Sequence, residues 1–274
     1  MAGLMSPFEK WCQKAFRNGD APVSPVTIVL LGQTGAGKSS FLNLLGNFPS
    51  VLRDGAHAVK SNPRDFCNLN VETDVADKRV SQTSAASVYQ FPMGPVDVRV
   101  VDTPGMGDTR GPDVDEKHTK EIVECVRGLG TINAIALVVS GRQARLTPQL
   151  KLTLAQVRAV LPDSAESNVL VVFTNTSSPL YLSFDISMLS SLVGCTVEPQ
   201  QQVFVENPYV LWERCEKAGL LGDFDEQQDL VKAFAQTSAN LSKFFSQVLS
   251  MPRLCLQQLH CFLLRPAGPI VEQA

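Results

Sequence analysis

One segment of the chain carries glycines, a lysine and a hydroxyl side chain in a spacing suited to phosphate binding. It spans Gly32 to Ser39 and reads Gly-Gln-Thr-Gly-Ala-Gly-Lys-Ser. Glycine reaches backbone conformations that other residues avoid, so successive N–H groups of such a loop can turn toward one anion. The lysine can bridge the β- and γ-phosphates of a nucleotide, and the last hydroxyl can ligate Mg²⁺. The segment therefore predicts a nucleotide-phosphate site.

The context of this loop distinguishes it from a chance glycine-rich turn. The apolar run Val26–Leu31 before it suits a buried strand, and Ser40–Leu45 after it suits a helix that ends at Gly46. A helix that begins beside the loop adds the positive end of its dipole to the anion site. We expect every loop residue and the next serine to bind the phosphates: Gly32, Gln33, Thr34, Gly35, Ala36, Gly37, Lys38, Ser39 and Ser40.

A second motif, Asp-Thr-Pro-Gly, begins with Asp102 at the end of the predicted strand Val96–Val101. A carboxylate at the tip of a neighbouring strand can hold a metal-bound water beside the phosphates. The N–H of Gly105 can bond to a γ-phosphate, and the segment can relax once that phosphate leaves. An ordinary strand-end aspartate is the alternative. Together the two motifs indicate a switch-type nucleotide hydrolase with catalytic Lys38 and Gly105, and with Mg²⁺ held by Ser39 and Asp102.

Strands and helices alternate through most of the chain, which positions these motifs. The predicted strands are Val26–Leu31, Ala85–Phe91, Val96–Val101, Ala134–Val139, Val169–Phe173 and Gln202–Val205, and the predicted helices include Asp113–Gly128 and Thr147–Val160. Such alternation favours a mainly parallel sheet with helices on both faces. The turn Pro92–Gly94 predicts a hairpin that adds one antiparallel strand. We therefore predict an α/β, three-layer P-loop NTPase fold.

The chain divides into three predicted regions. Residues 1–23 form an amphipathic helix and a linker, 24–217 the P-loop NTPase domain, and 218–274 a helical C-terminal extension and tail. The aromatic residues of the first helix stand beside basic ones, which permits peripheral membrane contact, but packing on the P-loop NTPase domain is favoured. Apolar residues at helical spacing in Gln227–Leu249 predict a helix that covers the domain; a partner surface is the alternative.

Composition excludes several classes of protein. The 274 residues are 44% hydrophobic and 19% charged, which suits a chain with a sizeable core rather than general disorder. A net charge of −3 without a broad basic field argues against a nucleic-acid partner. The seven cysteines form no Cys-x-x-Cys pair, so no structural zinc site is expected. Unpaired thiols and the lack of a secretory signal predict a cytoplasmic location.

Taken together, the two motifs resemble those of one group of GTPases. Gly-Gln-Thr-Gly-Ala-Gly-Lys-Ser-Ser followed by Asp-Thr-Pro-Gly-Met-Gly-Asp-Thr is similar to the septin-like group, and most of all to its avirulence-induced, immunity-associated G domains. That branch is related to the GTPase receptors of chloroplast protein import. The resemblance runs from about Val26 to about Glu213. It implies that the domain at 24–217 is a G domain. It also implies GTP or GDP with Mg²⁺ as cofactors, hydrolysis to GDP, and a homodimer or a related G domain as partner across the nucleotide face.

The resemblance also implies residues outside the two motifs. A switch I threonine that closes over Mg²⁺ and the γ-phosphate is matched by Thr83, with Thr73 as the alternative. Thr83 would then be both a catalytic residue and a metal ligand. An Arg-x-Thr segment after the fourth strand is matched by residues 142–147. Its Arg142 and Arg145 would face the phosphates, a dimer partner or solvent.

At the base site the chain departs from the usual pattern. An Asn-Lys-x-Asp segment normally selects guanine, because its carboxylate accepts from two ring donors that adenine lacks. Here Asn175 keeps the first position and Ser178 replaces the carboxylate. The import-receptor branch carries Glu-Asn-Ser after its last core strand, which Glu206 and Asn207 match. With Asn175 these residues are the expected base contacts, with GTP favoured over ATP or loose specificity.

The residue after Asp-Thr-Pro-Gly is a second departure from the usual pattern, and it concerns hydrolysis. Many small GTPases have a glutamine after Asp-x-x-Gly that orients the attacking water, and Met106 stands there instead. Two outcomes stay open: slow hydrolysis assisted by a partner subunit, or a nucleotide-binding interaction module with little or no hydrolysis. A kinase is a third hypothesis, but the sequence shows no acceptor-site or lid signature beside the phosphate loop, which argues against it.

Overall fold

The structure is a computed structural model, and it describes the chain in ranges separated by gaps. The described residues are 7–16, 25–54, 86–106, 117–118, 120–122, 124–125, 128–142, 148, 151, 163–183, 185–193 and 196–255. At 7, 50–54, 163–164, 188 and 191–193 only the backbone is described. Thr73, Thr83 and Arg145 lie outside the described residues, as does most of the predicted helices Asp113–Gly128 and Thr147–Val160.

A mainly parallel sheet forms the centre of the described structure. The strands are β1 (Val26–Gly32), β2 (Ser87–Met93), β3 (Val96–Asp102), β4 (Thr131–Ile132), β5 (Ala134–Ser140), β6 (Val169–Thr174), β7 (Gln202–Val205) and β8 (Leu254–Cys255). Six of them lie in the order β2-β3-β1-β5-β6-β7, while β4 and β8 form a separate pair. The β2–β3 hairpin is antiparallel and the other neighbours of the six-stranded sheet are parallel. This confirms the predicted α/β architecture.

Helices and hydrophobic clusters cover both faces of this sheet. The helices are α1 (Pro7–Ala15), α2 (Lys38–Asp54), α3 (Ile186–Val193), α4 (Pro208–Lys217) and α5 (Phe224–Ser250). Successive residues of β1 point to opposite faces, as in any strand. Thus Ile28 and Leu30 join one cluster, and Val29 and Leu31 join the other. The resulting arrangement is the predicted three-layer fold.

Helix α2 does not end at Gly46, so that detail of the sequence interpretation is wrong. The helix continues to Asp54 and includes Pro49. Phe48 explains the extension, because its side chain is fully buried and stacks on Phe245 at a centroid distance of 5.0 Å. A glycine inside a helix costs only about 1 kcal/mol, which this aromatic burial outweighs.

The N-terminal helix α1 and the long helix α5 belong to the same aromatic cluster. Trp11 makes edge contacts with Phe48 at 5.3 Å and with Phe245 at 6.2 Å. Phe244 packs edge-on against Phe41 at 5.2 Å. The aromatic side chains of α1 therefore pack against α2 and α5. Among the residues that the structure describes, no helix has the length and apolar content needed to cross a bilayer.

Candidate functional site

The predicted phosphate loop lies between the C-terminal end of β1 and the first residue of α2. Gly35 and Gly37 have φ angles of 75° and 93°, which residues with a Cβ atom rarely adopt. Gly32 is needed for a different reason: a Cβ there would lie 2.3 Å from the carbonyl oxygen of Val138 on the neighbouring strand β5. The glycines thus shape an open turn and bring it close to the sheet.

Lys38 folds back over this loop. Its Nζ donates hydrogen bonds to the carbonyl oxygens of Gly32 at 3.1 Å and Gln33 at 3.3 Å. Burial lowers the pKa of Lys38 from 10.5 to about 8, while the negative charge of Asp102 partly opposes that shift. The loop therefore contains a partly desolvated ammonium group, the kind of cation that an incoming phosphate stabilises.

Ser39 and Asp102 come together beside the lysine. The Ser39 hydroxyl donates to Asp102 Oδ2 at 2.7 Å. Asp102 is opposite Leu30 in the parallel β1–β3 register, so its carboxylate stands at the same edge of the sheet as the loop. A hydroxyl oxygen and a carboxylate oxygen are hard ligands of the kind that Mg²⁺ prefers. The residues present therefore fit the expected metal.

The residue that follows the Asp-Thr-Pro-Gly motif is hydrogen-bonded directly to the phosphate loop. Met106 donates its N–H to the carbonyl oxygen of Gly32 at 3.2 Å and accepts from the N–H of Thr34 at 3.0 Å. A Cβ on Gly105 would lie 2.3 Å from Thr34 Oγ1 and 2.5 Å from Thr34 Cα, so only glycine fits at this position. The Met106 side chain is buried in the core cluster that includes Val101. It contributes to packing at the place where many GTPases carry a polar side chain.

His118 is a residue of this site that the sequence interpretation missed. It is 3% exposed, and its Nδ1 lies 3.1 Å from the carbonyl oxygen of Gly105. Because a carbonyl oxygen only accepts, Nδ1 is the donor in this hydrogen bond. The two residues stand 13 positions apart and share no motif, so no sequence pattern identified the pair.

At the predicted base site, Asn175 follows β6 in the left-handed region with a φ of 57°, a conformation that asparagine tolerates. Its Nδ2 lies 3.3 Å from Ser140 Oγ. The preceding Thr174 donates its hydroxyl to the carbonyl oxygen of Ala36 at 2.6 Å. This contact joins the start of the base loop to the phosphate loop.

Arg142 connects the two loops that carry the expected base contacts. Its Nε donates to the carbonyl oxygen of Asn175 at 3.2 Å. Its Nη2 lies 3.4 Å from both carboxylate oxygens of Glu206. The guanidinium is about half exposed, so solvent screens the ion pair and its contribution to stability is small. Arg142 thus brings Asn175 and Glu206 to the same site, 31 residues apart in sequence.

Asn207 and Ser178 have local structural roles. Asn207 Oδ1 caps α4 by accepting from the N–H groups of Tyr209 and Val210, and its Nδ2 donates to Ser40 Oγ at 2.7 Å. The Ser178 hydroxyl accepts from the N–H of Leu180 at 3.3 Å and so caps a short 3-10 turn. Neither side chain supplies the carboxylate that the Asn-Lys-x-Asp pattern normally places here.

Helix α5 supports β7 and the loop after it through two side chains. Thr237 donates its hydroxyl to the carbonyl oxygen of Glu206 at 2.6 Å. One helical turn later, Asn240 donates to the carbonyl oxygen of Phe204 at 2.6 Å. The predicted C-terminal extension therefore contacts the backbone of β7 and of the loop that holds Glu206.

The family of the chain follows from comparison with known proteins. The AIG1 family model matches residues 26–180, more than half of the 274 residues, and that range contains the phosphate loop and the Asp-Thr-Pro-Gly motif. This chain belongs to the AIG1 family. The predicted resemblance to the avirulence-induced type of G domain is thereby confirmed. Glu206 and Asn207 lie beyond the range that matches the AIG1 family.

Solved structures share the fold of this AIG1-family chain. Toc33 from Arabidopsis thaliana in complex with GDP and Mg²⁺ has a TM-score of 0.55 and 16% identity, over 89% of this chain and 92% of that one. Toc33 with Mg²⁺ and GMPPNP gives the same four values. A dimerisation-deficient Toc33 mutant has a TM-score of 0.54 and 17% identity over the same shares. No curated protein sequence matches the chain. The Toc33 likeness identifies the fold, a G domain.

Proposed function

We propose that this AIG1-family protein is a guanine-nucleotide switch that binds GTP with Mg²⁺ and hydrolyses it to GDP, assisted by a second G domain. The observation that carries the proposal is the 2.7 Å hydrogen bond between Ser39 and Asp102 beside a phosphate loop. It joins the two side chains that a magnesium–nucleotide complex requires, at the edge of the sheet where the loop begins. The Toc33 structures with GDP or GMPPNP and Mg²⁺ support the choice of ligand.

In this proposal, the phosphates lie against the N–H groups of residues 32–40 at the N-terminus of α2. Lys38 exchanges its two backbone acceptors, the carbonyl oxygens of Gly32 and Gln33, for phosphate oxygens. Ser39 and Asp102 hold Mg²⁺, together with Thr83 from a segment outside the described residues. Bound Mg²⁺ neutralises charge that develops on the β- and γ-phosphates. The Gly105 N–H bonds to the γ-phosphate and so distinguishes GTP from GDP.

Glu206 is the proposed acceptor for guanine, with Asn175 and Asn207 as further base contacts. The Ser178 hydroxyl caps a short 3-10 turn and carries no charge. The Glu206 carboxylate, by contrast, contacts Arg142, which also holds the Asn175 loop of the predicted base site. A carboxylate accepts strongly from the ring N–H and exocyclic amine of guanine, and adenine offers no such pair of donors. The proposed selectivity for GTP over ATP depends on this group.

The proposed need for a second G domain follows from Met106. Its side chain is 1% exposed in the core, and a thioether cannot orient an attacking water. A group from another G domain would have to supply that help across the nucleotide face. In chloroplast translocon components atToc33 and psToc159, one structure of which has a TM-score of 0.50 to this chain, dimerisation is important for the GTPase activity.

The direct test of the binding proposal is calorimetric titration of the full chain with GTP, GDP and ATP, each with and without Mg²⁺. We expect GTP and GDP to bind with Mg²⁺-dependent affinity and ATP to bind much more weakly. Lys38→Ala, checked for folding by circular dichroism, should abolish GTP binding. Equal affinities for GTP and ATP would contradict guanine selection, and the absence of any nucleotide binding would overturn the proposal.

Hydrolysis is tested separately, because the burial of Met106 also favours a second function: a nucleotide-binding interaction module without turnover. Phosphate release is measured at protein concentrations that differ by about 100-fold. Specific activity that rises with concentration supports a dimer-assisted GTPase. Constant specific activity that disappears in Lys38→Ala retains the GTPase and removes the dimer. Release no faster than in Lys38→Ala at every concentration supports the binding module.

A further inference from the structure

We propose that His118 is a positioning residue that holds Gly105 in the orientation needed to detect a γ-phosphate. This inference rests on the proposed function, and it adds a residue that lies in neither the phosphate loop nor the Asp-Thr-Pro-Gly motif. His118 acts through Gly105 rather than on the nucleotide itself. Its hydrogen bond determines how Gly105 is presented to the phosphate loop.

The peptide unit between Gly105 and Met106 is bonded at both ends. Its carbonyl oxygen, on Gly105, accepts from His118 Nδ1 at 3.1 Å. Its N–H, on Met106, donates to the carbonyl oxygen of Gly32 at 3.2 Å. Two hydrogen bonds in opposite directions prevent a planar peptide from rotating about the bonds that flank it. Because His118 supplies one of them, it contributes directly to the ψ angle of Gly105.

Thr34 restricts Gly105 from the phosphate-loop side. The space for a Cβ on Gly105 is filled by Thr34 Oγ1 at 2.3 Å and by the Thr34 backbone nitrogen at 2.8 Å. Gly105 is thus enclosed by Thr34 while its peptide is held by His118 and Gly32. A glycine would otherwise have the widest backbone freedom of any residue, so its order here depends on these neighbours.

Burial of His118 makes this hydrogen bond hard to replace. The residue is 3% exposed, so water has little access to compensate the Gly105 carbonyl once the imidazole donor is removed. The carbonyl would then find another donor by rotating its peptide unit. Such rotation would change the ψ angle of Gly105. Because the same peptide carries the Met106 N–H that bonds to Gly32, its rotation would also release Gly105, and with it the Gly105 N–H, from the phosphate loop.

The expected consequence is selective. GDP lacks the γ-phosphate and makes no contact with Gly105 in the proposed function, so its affinity should not depend on His118. The affinity for a GTP analogue should fall by about tenfold when the donor is removed, as expected for one hydrogen bond. The ratio of the two affinities therefore reports the positioning role, whereas general destabilisation would weaken both nucleotides together.

The test compares three variants of the full chain: His118→Leu, His118→Gln and His118→Asn. Leucine removes the donor, asparagine offers an amide N–H near the position of Nδ1, and glutamine offers one further out, near Nε2. Affinities for GDP and for GMPPNP are measured by calorimetry with Mg²⁺. We expect the GMPPNP-to-GDP affinity ratio to fall about tenfold in His118→Leu and in His118→Gln, and to be restored largely in His118→Asn.

A measurement without nucleotide separates this inference from the proposed function. Amide hydrogen exchange at Met106, whose N–H bonds to Gly32, should be faster in His118→Leu and close to wild type in His118→Asn. Suppose that the wild type binds GMPPNP and that the GMPPNP-to-GDP affinity ratio is the same in His118→Leu and His118→Gln as in the wild type. That result overturns the positioning role and leaves the proposed function intact. Wild type that binds neither nucleotide overturns both. If His118→Leu does not fold, the His118→Gln and His118→Asn pair decides the question.

Discussion

Arg142 Nη2 lies 3.4 Å from both carboxylate oxygens of Glu206, and the same guanidinium donates to the carbonyl oxygen of Asn175 at 3.2 Å. One cation thus bridges the loops after β6 and β7. The carboxylate that it contacts is the group that could replace the aspartate missing at Ser178. This relationship gives the base site a testable acceptor.

Glu206→Gln should change the base preference. The amide of glutamine keeps one acceptor and adds a donor, so it matches the 2-oxo group of xanthine better than the 2-amino group of guanine. We expect GTP affinity to fall by about 100-fold and xanthosine triphosphate affinity to rise, measured by calorimetry with Mg²⁺. Glu216→Gln, on the exposed surface of α4, is the matched control and should change neither affinity. Retained GTP affinity in Glu206→Gln would remove Glu206 from base recognition.

Asp102→Asn should uncouple nucleotide binding from Mg²⁺. The amide preserves the size of the side chain but loses the charge that favours a divalent cation. We expect the gain in GTP affinity on adding Mg²⁺ to shrink by about 10- to 100-fold. Asp97→Asn, on the exposed face of the same strand, serves as the control. An identical Mg²⁺ dependence in wild type and Asp102→Asn would place the metal elsewhere.

Lys38 should make stability depend on pH in the nucleotide-free protein. Its pKa is lowered by burial from 10.5 to about 8 in the folded state, so the charged form is disfavoured there. Between these two pH values the unfolded chain binds more protons than the folded one, and stability contributed by this residue therefore rises with pH. At pH 7 Lys38 is charged in both the folded and the unfolded state, so desolvation of its charge lowers the free energy of unfolding by the full amount.

The measurement compares the free energy of unfolding of wild type and Lys38→Met by denaturant titration from pH 7 to 10.5. Methionine carries no charge, so its stability lacks this contribution. We expect Lys38→Met to be the more stable protein at pH 7, and the difference to shrink as pH rises from about 8, by at most about 1.4 kcal/mol per pH unit. Parallel curves would show that Lys38 keeps its ordinary pKa.

Gly105→Ala should destabilise the fold. The added Cβ would meet Thr34 Cα at 2.5 Å and the Thr34 nitrogen at 2.8 Å, and backbone atoms cannot move aside by a change of rotamer. We expect a loss of about 1–3 kcal/mol in the free energy of unfolding. Gly128→Ala, where the new Cβ would have no neighbour within 4 Å among the residues that the structure describes, should be neutral or slightly stabilising. Equal stability of the two variants would contradict the packing of Gly105 on the loop.

Phe244→Ala tests whether α5 is part of the domain core. Phe244 is fully buried and contacts Phe41 and Phe245, so its removal should cost about 3–5 kcal/mol in the free energy of unfolding. Phe224 lies on the same helix but is 72% exposed, and Phe224→Ala should cost far less. A small effect at Phe244 would indicate that α5 is a separable extension. The predicted boundary at residue 217 would then also mark a unit of stability.

The sequence by itself determined the phosphate loop, the strand pattern of the sheet and the helical character of α5. These features depend on local spacing: glycines that permit one tight turn, apolar runs of strand length, and apolar residues at helical intervals. Lys38, Ser39 and Asp102 could be chosen because each stands at a fixed place relative to a strand end. For the same reason, the family resemblance could be stated from the two motifs alone.

Only the tertiary structure decided the features that depend on pairs of distant residues. Gly46 does not end α2, because Phe48 packs on Phe245 almost 200 residues later. Met106 is buried, His118 bonds to Gly105, and Arg142 reaches Glu206 across the edge of the sheet. Each of these contacts arises from the order of strands and the helices packed on them. Local spacing fixes which residues share a turn or a face, whereas long-range packing fixes which turns and faces meet.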